Sequence, residues 1–122
     1  MKEQIEVVDA DIGGLESIWD SGMEETYGFY RTNAAPKVAL AATLVESAVE
    51  LQRLGGPAPD PVHLLLGDLC LARASRLLAE SGDQRLQVGF ARAVERVSAA
   101  ASGGPEAPPL RQQLVATIGG EP

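Results

Sequence analysis

Apolar residues recur along this chain in blocks of three-and-four spacing, parted by glycine- and proline-rich breaks. Over residues 1–21, Ile5, Val8, Ile12, Leu15 and Trp19 mark one face of a first helix. Gly13-Gly14 weakens it by about 1 kcal/mol per glycine, and Ser21-Gly22 is the expected end. Residues 23–31 read as one or two further helical turns, and Tyr27, Phe29 and Tyr30 gather there as an aromatic plug over the core or, alternatively, a ligand platform. Pro36 opens a helix over 36–54 that is apolar except for a stripe at Thr43, Glu46, Glu50 and Arg53. The stretch 60–80 carries helix punctuation at both ends. Asp60 is the N-cap, Pro61 the first helical residue, and Ser81-Gly82 the exit. Its first half is apolar nearly all round, through Val62, Leu64, Leu65, Leu66, Leu69, Cys70 and Leu71, and it is expected to be the central, buried helix. Asp83 caps a further helix with Leu86, Phe90, Ala93, Val94, Val97 and Ala101 on one stripe. Its other face carries Arg85, Arg92, Glu95 and Arg96, which places it against solvent or a partner. After the stiff linker 103–109, Leu110, Leu114 and Ile118 align on a short last helix.

No stretch alternates long enough to argue for a strand. The expected fold is all-α: a single domain over 1–122 of five to six helices, with an N-terminal helix and plug (1–35), core helices (36–102), and a linker and short helix (103–122). Aromatics are only 4%, and an apolar fraction dominated by Ala, Leu and Val suits close helix packing. A net charge of −7 argues against a nucleic-acid partner. No apolar run approaches the roughly 18 residues of a membrane span. The N-terminus lacks the basic and apolar regions of a signal peptide. One cysteine, Cys70, cannot form an internal disulfide, and a reduced cytoplasmic setting is expected.

Candidate chemistry is sparse. One histidine and one cysteine cannot make a zinc site of the usual kind, so no metal site and no catalytic residue are assigned. His63 begins an apolar helix with no evident Ser/Asp pair, and the glycine doublets form no phosphate-binding loop. Glu46 and Glu50, one turn apart, are either a solvated face, with Glu50 in a weak ion pair to Arg53 three residues on, or a metal-binding pair. Asp68 stands among leucines and needs a partner from another helix, subunit, ligand or water: it is either a buried, hydrogen-bonded carboxylate that fixes helix register or a direct ligand contact. Gly67 beside it permits a close approach.

The pattern Leu66-Gly67-Asp68-Leu69, then Ala72-Arg73-Ala74 and Leu77-Leu78-Ala79, followed by Gly82-Asp83 and an amphipathic helix, resembles the trans-polyprenyl diphosphate synthases. The preceding helix, with Thr43 to Leu51, resembles that of the small (component I type) subunit of heterodimeric heptaprenyl and hexaprenyl diphosphate synthases. The resemblance covers roughly residues 36–102 and implies a truncated isoprenoid-synthase-like bundle. Catalytic members hold magnesium on two Asp-Asp-x-x-Asp motifs. This chain has no Asp-Asp pair, and Gln52-Arg53-Leu54-Gly55-Gly56 stands where the first motif would be. The basic diphosphate-gripping motif is also absent, with only Arg31 and Lys37 nearby. Gly67 and Asp68 carry over as motif matches without a catalytic role. The resemblance implies a non-catalytic, regulatory subunit with no cofactor of its own. Its partner would be a larger synthase subunit that binds magnesium and condenses isopentenyl diphosphate with an allylic diphosphate. Leu44, Ala48, Leu51, Leu65, Leu69 and Ala72 are its candidate interface and tunnel residues. The alternatives are a self-associating helical module and, last, an enzyme with metal at Asp68, Glu46 and Glu50.

Overall fold

A computed structural model describes residues 15–52 and 60–120, and within them the chain is all-helical. Five helices are arranged in order: α1 (Ser21–Arg31), α2 (Pro36–Gln52), α3 (Pro61–Ser81), α4 (Gln84–Ala101) and α5 (Leu110–Ile118). The Gly13-Gly14 break and Arg53 lie outside the described residues, as does most of the first expected helix. Its last part is corrected. Residues 16–18 form a turn, and Ser21 starts a helix where one was expected to end. The cause is Asp20, whose carboxylate accepts the Met23 N–H at 2.9 Å and caps α1.

Three of the sequence's punctuation marks act as expected. Asp60 accepts the Val62 N–H at 2.8 Å with Pro61 at the first position of α3. Gly82 leaves α3 at φ +78°, in the left-handed region, and Asp83 accepts the Arg85 N–H at 3.0 Å to start α4.

The core is organised around α2, not α3. Every residue from Val38 to Val45 is buried, and Thr43, expected on a polar stripe, is inside with its hydroxyl donating to the Ala39 carbonyl at 2.8 Å. Alanines 39, 41, 42 and 48 make this possible, because short side chains let neighbours close on every side of one helix. α2 and α3 run antiparallel. Lys37 at the start of α2 pairs with Glu80 at the end of α3, and Gln52 at the other end of α2 reaches Asp68. α1 packs on α2, while α4 and α5 form a second pair, also antiparallel: Arg85 meets Thr117, and Arg96 meets Gln113. Tyr27 and Tyr30 are buried, so the aromatic cluster is chiefly a plug, with Phe29 at its exposed edge.

Cys70 is fully buried, and desolvation pushes its thiol up to about 11. Tyr30 is also held protonated well above its usual range, first by burial and then by its bond to Glu46. An unfolded chain loses both protons at lower pH than the native chain does. Stability is therefore expected to be undiminished below the ordinary thiol range. It should fall as pH rises from about 9, by up to about 1.4 kcal/mol per unit per group. Urea melts between pH 7 and 11 read this directly, and a flat profile would contradict it.

Candidate functional site

The twenty-one residues of α3 divide into two faces. Gly67, Cys70, Ala74, Leu77 and Leu78, spaced by threes and fours, are buried. The opposite arc holds Val62, Leu64, Leu65, Asp68, Leu69 and Ala72. Three large apolar side chains there face water: Leu65 is 68% exposed, Val62 59% and Leu64 42%. Asp68 is exposed too, not the buried carboxylate expected from its leucine neighbours, because those leucines flank it on the outward face. Its oxygen accepts a hydrogen bond from Gln52 Nε2 at 3.0 Å. Gly67 lies beneath the same glutamine, and a Cβ added there would meet Gln52 Cγ at 2.8 Å. The close approach that Gly67 permits is thus the packing of α2 on α3, and Asp68 ties that crossing from outside.

Among the interface candidates, Leu65 and Ala72 are exposed and Leu69 is half-buried on the same face. Leu51 is half-buried at the end of α2, whereas Leu44 and Ala48 are fully inside this chain's own core. These last two stand behind the outward face of α3 instead of forming it. Val62 and Leu64 are the members of that face that sequence reasoning left out. An apolar helix read from sequence shows how greasy it is, but not which greasy side its own fold leaves uncovered.

The carboxylates fall elsewhere. Glu50 is exposed, and its expected pairing with Arg53 falls outside the described residues, whereas Glu46 is only partly exposed. Glu46 is gripped by Arg111 of α5, which donates from Nε at 2.8 Å and from Nη2 at 3.0 Å. It also accepts the Tyr30 hydroxyl proton at 2.5 Å. Arg111 Nη2 reaches Thr26 at 3.2 Å, and the guanidinium lies 4.7 Å from the Phe29 ring centroid. One two-pronged ion pair therefore joins α1, α2 and α5. Helical periodicity cannot point to Arg111, because its partner lies 65 positions away.

Beside this cluster runs a cleft of about 750 Å³ whose walls include Glu46, Ser47, Glu50, His63 and Arg111. It brings Ser47, Glu50 and His63 to one place, a combination not connected in the sequence. Among the described residues no hydrogen bond links the three. Among the described residues no three His, Cys, Asp or Glu side chains are grouped to hold a metal ion. Glu46 is committed to Arg111, and Asp68 to Gln52. Among the same residues no helix is long and apolar enough to cross a membrane. Comparison with protein-family models, with curated proteins and with solved structures finds no match to this chain.

Proposed function

We propose that this protein is a non-catalytic helical subunit that docks on a larger chain through the outward face of α3. The observation that carries the reading is the exposure of Val62, Leu64 and Leu65 on one arc of a helix whose opposite side is buried in the core. Leucine and valine side chains held in water by a folded scaffold favour a protein contact, where each fully covered side chain contributes about 1.5–3 kcal/mol. The occupant we assign is the larger subunit of a heteromeric trans-polyprenyl diphosphate synthase. Its support is the resemblance carried by Leu66 to Ala79 and by Thr43 to Leu51, together with the missing aspartate-rich motifs. In that reading the partner holds magnesium and both diphosphates. This chain contributes shape: α2, buried from Val38 to Val45, backs the face of α3 that abuts the partner's product tunnel, so the product's length depends on the complex. A single free, buried thiol accords with the reducing cytoplasm we assign.

The test combines this chain with the large synthase subunit, magnesium, isopentenyl diphosphate and farnesyl diphosphate. The pair is expected to give a longer prenyl product, or far more of it, than the large subunit alone. Identical product with and without this chain would overturn the assignment. A stable homodimer with no affinity for the synthase subunit would reassign the same face to self-association.

A further inference from the structure

A second surface, away from the outward face of α3, carries a different chemistry. Between the antiparallel helices α4 and α5 lies a cleft of about 830 Å³ lined by Arg85, Arg92 and Arg96 on one side and by Gln112, Gln113 and Thr117 on the other. Val88, Gly89 and Ala116 give it an apolar floor. None of the described residues lining it is acidic, in a chain whose net charge is −7. The floor is shallow because α4 and α5 touch there: a Cβ on Gly89 would collide with the Thr117 methyl.

The arginines form an ordered row. At 100° and 1.5 Å per residue, positions 85, 92 and 96 fall within an arc of about 40° and span roughly 16 Å of helix axis. Two of them are held in place by this chain. Arg85 donates to the Thr117 carbonyl and, at 3.3 Å, to Asp83, while Arg96 donates to Gln113 Oε1 at 3.3 Å. Arg92, between them, is exposed and makes no hydrogen bond or ion pair among the described residues. The outer two lean toward α5 and do not converge on a single point, so one small anion would engage only part of the row. A polyphosphate or nucleic acid, with far more negative charge per unit length than a helix bearing three carboxylates, would meet more of the repulsion from the rest of the surface. A helix lying along the cleft has the same repeat as α4. Its carboxylates at matching seven- and four-residue intervals would fall opposite all three guanidiniums at once, and its small apolar residues would meet Val88 and Ala116.

We infer that the α4–α5 cleft binds an acidic helix of a partner protein, read in register by Arg85, Arg92 and Arg96. The probe is a fluorescein-labelled, helix-stapled peptide of about 16 residues, long enough to span the row. It carries three glutamates on an alanine and glutamine framework, spaced seven then four, or four then seven for the reversed direction. A control peptide has the same composition with its glutamates scattered round the helix. By fluorescence anisotropy, one of the two matched peptides is expected to bind saturably and to weaken steeply with added salt. Arg92→Ala is expected to weaken binding about tenfold, and Arg92→Glu to abolish it. Since Arg92 is exposed and unpaired among the described residues, an unchanged far-ultraviolet circular dichroism spectrum should accompany both variants. Leu65→Asp, on the other surface, should leave peptide binding intact, which separates this site from the docking face of α3. Equal binding of the scattered control, an Arg92→Glu variant that binds like the wild type, or no saturable binding of either matched peptide would each overturn the inference. So would tighter binding of single-stranded DNA than of the matched peptide.

Discussion

Leu44→Ala is expected to destabilise the fold by about 4 kcal/mol, read as a lowered urea midpoint at unchanged slope. Leu44 is fully buried at the middle of α2, within the unbroken buried run Val38–Val45. Its neighbours on the helix include Ala41 and Ala48, which are already at minimum size and cannot expand into the space a lost isobutyl group would leave. The cavity should therefore persist, and the cost should lie toward the upper end for leucine truncations. Leu65→Ala is the matched comparison. The same atoms removed from a side chain 68% exposed should change stability by less than about 0.5 kcal/mol. Equal losses for the two variants would mean that α2 is not the central helix.

Glu46→Ala is expected to cost about 3 kcal/mol, for a different reason. The Tyr30 side chain is fully buried, and Glu46 accepts its hydroxyl proton. Without the carboxylate that hydroxyl keeps its burial and loses this acceptor, which contributes about 1–3 kcal/mol. The remainder comes from Arg111. It is partly exposed and regains water, so its share is small. The loss should also be local. Arg111 is the link from α5 to both Glu46 and Thr26, so amide exchange of α5 should quicken in Glu46→Ala before the rest of the fold opens. Tyr30→Phe removes the donor but leaves the ion pair, and should cost only about 1 kcal/mol. If Tyr30→Phe proves as damaging as Glu46→Ala, the carboxylate is not the keystone of that cluster.

Helix boundaries are legible wherever a side chain punctuates the backbone locally: Asp60 with Pro61, Gly82, and Asp83 each act within a turn of their own position. The start of α1 is not, because Ser21-Gly22 reads as an exit until Asp20 is seen to cap the next turn. Which helix is central is hidden for a physical reason. Large apolar residues mark α3, but being surrounded requires small ones, and the alanines of α2 let it be enclosed while the leucines at the start of α3 remain outside. The same logic brings Asp68 to the surface. The docking face is thus half legible: Leu65, Leu69 and Ala72 can be named, but their orientation depends on the packing of a different helix. The Glu46–Arg111 clamp and the row of arginines closed off by α5 depend on segments distant in sequence, to which helical periodicity is blind.

Docking is tested most directly by the affinity of this chain for the large synthase subunit, measured by sedimentation velocity with wild type and Leu65→Asp side by side. Leu65 is largely exposed and lies outside this chain's own core, so the variant should fold as the wild type does. A wild-type complex that forms, and a Leu65→Asp complex weakened about 100-fold or lost, is the predicted result. Equal affinity of both chains, or no complex with either, would contradict it.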